Sequence, residues 1–304
     1  MTLSRTLHLA ASVEPHPLRF FVVPILRSHW AYHCHSTLPS ASRLTRAVDW
    51  ATRKWETLGT AKPDTWKAKV YRTGGKLMDR VEYEEWFLKA IPIKEDVKEK
   101  LNRVREYCRQ SVPVHHPSTV PKDLIHERLD TLLTHRIPYH RKKMIYSSLW
   151  LPLTISFVVV PLVPNFPLAY NLFRIYSHYK AYKGAQHLHH LHTQNLLEYQ
   201  PTATLDRCLN GLTPVTTDDL ALPADVTPSN LSSLHDDIPG VIERARIAEI
   251  ARVYDAPLLE KDVRRARFQV LARVVKERAE KTGHAGLGEA EKRKEGKEEK
   301  KGHI

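Results

Sequence analysis

The chain has 304 residues, enough for two domains, and 27% of them are charged. Its three cysteines, Cys34, Cys108 and Cys208, are far apart and form no C-x-x-C pair, which excludes a disulfide framework and a thiolate metal site. The net charge of +13 suits nucleic acid or an anionic lipid surface, but the sequence has no helix-turn-helix, zinc-finger or single-strand-binding signature, so we expect no nucleic-acid partner.

The N-terminal residues combine a leader with one extended segment. Residues 1–17 lack the apolar core of a secretory signal and carry few cations for a mitochondrial presequence, so we expect a disordered leader. The apolar run RFFVVPIL, residues 19–26, is rich in β-branched and aromatic side chains and predicts an extended segment. Pro24 lies within this run, and because proline donates no ladder hydrogen bond, we do not expect a central strand.

Helical spacing dominates the predicted N-terminal region, residues 18–110. Apolar residues recur at helical intervals from Leu44 to Trp55, and a second helix is expected to begin after Asp64. The content of Pro, His and Ser predicts a linker at residues 111–120.

The longest charge-free stretch is residues 144–173, which contain no Asp, Glu, Lys, Arg or His. A helix needs about 20 apolar residues to cross a bilayer core, so this stretch is long enough. Prolines break the helix, because each lacks a backbone donor and clashes with the preceding turn. The residues predicted to form the bend are Pro161, Pro164, Asn165 and Pro167. We therefore predict a membrane-associated helical hairpin within residues 121–199.

Basic residues flank the stretch on both sides and are predicted to face lipid: Arg141, Lys142, Lys143, Arg174, Lys180 and Lys183. Basic flanks tend to stay on the side from which a segment is inserted, so both ends are expected on one side, with the hairpin tip in the membrane. Anionic membrane lipid is the expected partner. Two alternatives remain open: a single kinked transmembrane helix, and a hairpin buried in a soluble helical domain.

Five histidines follow the stretch: His178, His187, His189, His190 and His192. Their helical spacing permits a metal site or pH sensing, but no Cys or Glu nearby completes a ligand set, and we favour a solvated, lipid-facing polar stripe. We predict no metal ligand, no cofactor and no catalytic residue. The sequence also lacks a nucleophile elbow, a P-loop, a dinucleotide fingerprint and a metalloprotease motif, so we do not expect an enzyme.

The C-terminal third is predicted to hold a linker, two helices and a tail. Residues 200–239 are rich in Asp, Pro, Thr and Ser without an apolar period, which indicates an acidic linker. Apolar spacing predicts a helix pair in residues 240–281, and the charged residues 282–304 are expected to be disordered. The predicted fold class is mainly α: a helical membrane-associated protein with a proline-broken apolar helical hairpin and a C-terminal helix pair.

Four segments between residues 19 and 188 read, in chain order, RFFVVPIL, WATRKWETL, WKAKVYRTGGKLMDRVEYEEWFLKAIP and HRKKMIYSSLWLPLTISFVVVPLVPNFPLAYNLFRIYSHYKAYKGAQHL. The most specific part is VPNFP, residues 163–167. These segments resemble the fungal family named mitochondrial K+/H+ exchange-related. The resemblance implies a mitochondrial inner-membrane protein associated with potassium/proton exchange, and it supplies no catalytic or ion-binding residue.

The residues refine the role that the resemblance implies. A cation or proton carrier normally places an ionisable group in the membrane, whereas residues 144–173 offer only Ser, Thr, Asn and Tyr as polar side chains. One hairpin also lacks the paired repeats of many secondary transporters. We therefore expect a component or regulator of potassium/proton exchange, with its bulk on the matrix side and with other inner-membrane proteins or its own copies as partners. The alternative is a membrane-bound scaffold or assembly factor for another inner-membrane complex, docking through the helix pair.

Overall fold

The computed structural model describes residues 16–37, 53–54, 57, 59–94, 111–156, 166–209, 212–223, 226, 231 and 238–299. Within them the strands are β1 (Leu18–Leu26), β2 (His29–Ser36), β3 (Val112–His116) and β4 (Leu197–Pro201). The helices are α1 (Trp66–Asp79), α2 (Tyr83–Ala90), α3 (Lys122–Leu149), α4 (Leu151–Ser156), α5 (Phe166–Thr193), α6 (Ala203–Cys208), α7 (Arg244–Val253) and α8 (Pro257–Glu299). Most of the predicted leader and of the predicted helix around Leu44 lies outside the described residues.

A four-stranded mixed sheet in the order β2-β1-β3-β4 forms the centre of the fold. β1 pairs antiparallel with β2 and parallel with β3, and β3 pairs parallel with β4. Parallel neighbours need long crossover connections, and α3, α4 and α5 lie in the connection between β3 and β4. Pro24 lies within β1 beside a register irregularity, where a missing donor is tolerated. The expectation that Pro24 excludes a central strand is therefore wrong.

The side chains of β1 contribute to two hydrophobic cores, because successive residues of a strand point to opposite faces. On one face, Phe21 and Val23 pack with residues of α7 and α8. On the other face, Phe20 and Val22 pack with residues of α2, α3 and α5. A strand buried on both faces has no polar alternation, which is why this segment is a short apolar run in the sequence.

The predicted mainly α fold class is wrong, because the fold is a mixed α/β arrangement built on this sheet. Two of the strands have only five residues, and one of them, β3, lies in the segment predicted as a linker. Strands this short show no period long enough to distinguish them from loops. At the other end of the chain, α8 continues to Glu299, through most of the segment predicted as a tail.

The predicted membrane-associated hairpin corresponds to α3, α4 and α5, while residues 157–165 lie outside the described residues. Across the part of the chain that the structure describes, no helix is both long enough and apolar enough to cross a membrane. This finding corrects the hairpin of the predicted fold class. The physical reason is that much of α3 and α5 belongs to the protein's own core, where Leu133 and Ala181 are fully buried.

α3 and α5 run antiparallel. His140 of α3 meets His178 near the middle of α5, and Asp130, closer to the start of α3, lies near His192 at the end of α5. α2 packs closely against α5. The distance is so short that a Cβ at Gly184 of α5 would overlap the backbone carbonyl of Leu88 in α2. The contact of these three helices brings polar side chains together in the interior.

Candidate functional site

Glu85 of α2, His140 of α3 and His178 of α5 meet inside the protein. Their exposed fractions are 3%, 0% and 2%, and one potential ligand atom of each lies within 4.8 Å of the others. Among the described residues, this is the one group of three His, Cys, Asp or Glu side chains placed to hold a metal ion. We call it the buried cluster, together with Arg174 and Ser177, which bond to Glu85.

Local helix rules explain where each member of the buried cluster stands. Two residues follow Arg174 at helical spacing: Ser177 three positions later and His178 four positions later. The three side chains therefore lie on one face of α5. Glu85 lies in the first turn of α2, where the helix dipole favours a carboxylate. The positions are thus set locally, whereas the meeting of the side chains depends on how the three helices pack.

Glu85 is the negative charge of the buried cluster. Ser177 Oγ donates to Glu85 Oε1 at 2.5 Å, and the Arg174 guanidinium donates to the two carboxylate oxygens at 3.1 and 3.4 Å. Burial by itself would raise the pKa of Glu85, but the Ser177 hydrogen bond and the Arg174 charge outweigh burial and leave the pKa below its ordinary value. Glu85 is therefore an ionised carboxylate, paired with Arg174.

The hydrogen bonds assign the tautomers of the two histidines. A guanidinium only donates, so His178 Nε2, at 2.8 Å from Arg174 Nη2, must accept. His178 Nδ1 then carries the proton and donates to His140 Nδ1 at 3.1 Å. The proton of His140 is therefore on Nε2, which is buried and has no hydrogen-bond partner in the described part of the chain. One donor of the buried cluster is thus unsatisfied, which is rare in native interiors.

Both histidines are neutral at neutral pH. Burial lowers the pKa of His140 to about 4, although the charge of Glu85 opposes the shift. Burial, reinforced by the charge of Arg174, lowers the pKa of His178 to about 4. Neutral imidazoles and an ionised carboxylate are the protonation states in which these side chains bind a metal ion.

Two imidazole nitrogens and one carboxylate oxygen form the ligand set of a zinc-type site with three protein ligands. The same side chains are also connected without an ion, because Arg174 neutralises Glu85 and links α5 to α2. Both arrangements join three helices at one point. They differ in the position of the Arg174 guanidinium.

The predicted bend lies mostly outside the described residues, which include none of Pro161, Pro164 and Asn165. Pro167 is exposed in the first turn of α5, a position where proline removes no intrahelical hydrogen bond. The proposed role of the bend stays a prediction.

The predicted lipid-facing cations fall into two groups. Those on α3 are three consecutive exposed residues: Arg141, Lys142 and Lys143. On α5, Lys180 and Lys183 are half-buried, and Arg174 bonds to Glu85 inside the protein. The cations of α3 are therefore the ones placed to meet a negatively charged surface.

An apolar surface lies next to these cations, where α3 ends, α4 follows and α5 begins. Its large side chains are between 42% and 70% exposed: Ile145, Tyr146, Leu149, Trp150, Leu153, Ile155, Tyr170 and Leu172. We call this surface the apolar tip. Asn171 Nδ2 donates to Thr154 Oγ1 at 3.3 Å and so connects α5 to α4 within it. Contiguous exposed apolar surface is a feature that interaction sites share.

The histidines of α5 do not form a solvated stripe. His178, His187 and His192 are buried. His187 Nδ1 donates to the carbonyl oxygen of Pro92 at 2.7 Å, and the His192 ring lies over that of His126, with 4.0 Å between the ring centres. The interpretation as a polar stripe is therefore wrong for these three residues, because the packing of α5 turns them towards neighbouring segments.

Sequence reasoning missed Glu85 and His140 as partners of His178. All three lie on different helices, and no local spacing connects them. The one usable signal was the arrangement of Arg174, Ser177 and His178 on a single helical face, which indicates a polar patch without naming its partners.

Comparisons with known proteins identify relatives of the chain. The family described as "mitochondrial K+-H+ exchange-related" matches residues 19–192. An uncharacterised protein of Schizosaccharomyces pombe is 26% identical over 232 residues, which cover 75% of this chain and 95% of that protein. An uncharacterised protein of Saccharomyces cerevisiae is 27% identical over 186 residues, which cover 53% of this chain and 58% of that protein. No solved structure matches the chain.

The family match runs from β1 to the last turn of α5, so it includes the buried cluster and the apolar tip. The description of the family relates it to potassium–proton exchange in mitochondria. The resemblance that the sequence segments indicated is thereby confirmed, and the chain belongs to the mitochondrial K+-H+ exchange-related family.

Proposed function

We propose that the protein is a non-enzymatic component or regulator of potassium–proton exchange, attached by its apolar tip to the matrix face of the mitochondrial inner membrane. The process, potassium–proton exchange, is the one that the description of the family names. The observation that carries the proposal is the apolar tip, a group of large exposed side chains beside the exposed cations of α3.

The composition of the apolar tip suits a lipid interface. Tyr146, Trp150 and Tyr170 have amphipathic rings of the kind that lies at the level of the lipid headgroups. Leu149 and its aliphatic neighbours can enter the boundary of the acyl chains. Each basic residue close to an anionic membrane contributes about 1 kcal/mol, which favours binding through the exposed cations of α3. Anionic lipid is therefore the proposed partner of this surface.

A supporting role is favoured over ion transport by this chain alone. Residues 144–173 contain no Asp, Glu, Lys, Arg or His, whereas carriers place such groups along the ion path. The buried charges of Glu85 and Arg174 compensate each other. Other inner-membrane proteins, or further copies of this chain, are the proposed source of the ion path.

A scaffold or assembly factor for another inner-membrane complex is the rival function. Its expected docking surface is the C-terminal helix pair, which the structure gives as α7 and α8. Apolar residues of these helices, among them Ile247, Ile250 and Val263, are buried in the protein's own core. Because that surface already has an intramolecular partner, we do not favour docking through it.

Vesicle flotation of the purified full-length chain tests the attachment. We expect binding to phosphatidylcholine vesicles that contain cardiolipin, with weaker binding at high salt because ions screen the cations of α3. A triple variant, Leu149→Ser, Trp150→Ser and Leu153→Ser, should lose most of the binding. Leu258→Ser, which changes an equally exposed leucine on α8, is the matched control and should bind like wild type. Equal binding by the triple variant would contradict the proposed attachment.

Flux measurements separate a component from a carrier. The purified chain is reconstituted alone into liposomes with a potassium gradient and an internal pH dye. We expect no exchange of potassium for protons above the rate of empty liposomes. If the chain alone exchanged the two ions, the proposed supporting role would be wrong.

A further inference from the structure

We infer that the buried cluster is a binding site for one divalent metal ion of the zinc type, with Glu85, His140 and His178 as its protein ligands. A carboxylate oxygen and one nitrogen of each imidazole would hold the ion. The ion would connect α2, α3 and α5 at a single point. The proposed exchange function does not require such a site, so the two proposals are independent.

The spacing of the ligand atoms suits an ion of this kind. Zinc bonds to nitrogen and oxygen are about 2.0–2.2 Å long, and in tetrahedral geometry they separate the ligand atoms by about 3.3–3.6 Å. The two Nδ1 atoms, of His140 and His178, are 3.1 Å apart, and Glu85 Oε2 is 3.9 Å from His178 Nδ1. Modest rotations of the side chains therefore complete the geometry.

Arg174 is the group that an incoming ion must displace. Its guanidinium lies beside Glu85 and holds His178 in the tautomer that carries a proton on Nδ1. When the ion binds Nδ1, that proton leaves and Nε2 gains one, so the imidazole changes tautomer without a net release of protons. The guanidinium then leaves Nε2, because two donors cannot share one hydrogen bond. Glu85 then pairs with the metal ion in place of the Arg174 guanidinium.

The buried cluster is not a complete structural network, because one donor of His140 is unsatisfied within the part of the chain that the structure describes. The ring of His140 is fully buried, yet its Nε2 has no hydrogen-bond partner among the described residues. Buried polar networks that serve stability alone are normally satisfied in full. An ion bound at Nδ1 would leave the Nε2 proton in place, and it is the spacing of the ligand atoms that points to an ion.

Metal titration of the full-length chain, prepared without a histidine tag and stripped by a chelator, tests the inference. We expect one zinc ion per chain, a higher melting temperature with zinc, and, with cobalt, the visible spectrum of a nitrogen- and oxygen-ligated site. Glu85→Gln and His140→Gln should each bind about 100-fold more weakly or worse. His135→Gln, an exposed histidine on the same helix as His140, is the matched control and should bind like wild type.

Arg174→Gln distinguishes an ion site from an ion-free network. Removing the competing guanidinium should tighten cobalt binding by about tenfold, the order expected for one hydrogen bond to a charged group. A network without an ion would only lose stability in this variant. The inference is overturned if wild type and Arg174→Gln show no cobalt spectrum, or if His140→Gln binds zinc as well as His135→Gln does. If a variant does not fold, the cobalt spectrum of the wild type alone decides whether the buried cluster binds an ion. Vesicle flotation tests the membrane attachment separately, so neither result changes its outcome.

Discussion

Ser177 donates a hydrogen bond to the ionised carboxylate of Glu85. We expect removal of the Ser177 hydroxyl to lower the free energy of unfolding measurably. Ser177→Ala deletes the 2.5 Å hydrogen bond to Glu85 and leaves Arg174 in place. A hydrogen bond to a charged group contributes about 1.5–3 kcal/mol, so we expect the free energy of unfolding to fall by about 2 kcal/mol in urea titrations. Ser148→Ala is the matched control, because Ser148 is exposed and donates within α3, to the Met144 carbonyl. Equal stability of the two variants would show that Glu85 does not depend on Ser177.

The lowered pKa of His115 in β3 predicts how the free energy of unfolding changes with pH. Its ring lies against Phe21 and Tyr254, and burial, followed by the charge of Arg19, lowers its pKa to about 4. In the unfolded chain a histidine titrates near pH 6.5, so between about pH 6.5 and pH 4 the unfolded chain binds a proton that the folded protein does not. The stability that His115 contributes is therefore complete above about pH 6.5 and is lost as the pH falls towards 4.

His115→Phe should make the protein less sensitive to acid, because phenylalanine keeps the ring contacts and does not titrate. Between about pH 7 and pH 5, we expect wild type to lose about 1 kcal/mol more unfolding free energy than this variant, after allowing for partial solvent exposure. Urea titrations at the two pH values measure the difference. His135→Phe, at an exposed position, should keep the wild-type pH dependence. Parallel pH profiles of wild type and His115→Phe would contradict the prediction.

At the scale of elements, the approach of α2 to α5 depends on Gly184. A methyl group there would overlap the backbone carbonyl of Leu88, which cannot rotate away, so α5 would have to move from α2. We expect Gly184→Ala to lower the free energy of unfolding by about 3 kcal/mol, the upper range for overpacking. Gly75→Ala, in the interior of α1, is the matched control: it meets no atom within 4 Å and should raise stability by up to about 1 kcal/mol. A similar stability for both variants would show that the α2–α5 contact is not tight.

The sequence predicts some elements of this protein better than others. Helices around the charge-free stretch could be predicted because spacing and composition are local properties, and both persist over α3 and α5. β3 could not, because it has five residues, among them Pro113 and two histidines, and it exists only through pairing with β1 and β4. The buried cluster could not be predicted for the same reason: packing of three separate helices brings Glu85, His140 and His178 together.

At the scale of the whole molecule, the apolar tip and the sheet lie at opposite ends of α3. Ile125, near the start of this helix, packs in the core beside the sheet, whereas Leu149, at its end, is 70% exposed. At 1.5 Å per residue the two positions are about 36 Å apart along the helix. Substitutions in the apolar tip should therefore change what the surface binds and leave the fold intact.

Swelling of isolated mitochondria in potassium acetate is the most direct test of the proposed role. Acetic acid carries protons into the matrix, so sustained swelling requires potassium to enter in exchange for protons. Mitochondria of a fungal strain that lacks this chain are compared after re-expression of wild type, the triple variant of the apolar tip, or Leu258→Ser. We expect rapid swelling with wild type and Leu258→Ser, and slow swelling with the triple variant or without the chain. An added potassium–proton ionophore should restore swelling in every sample. Equal swelling rates with and without the chain would contradict its role in potassium–proton exchange.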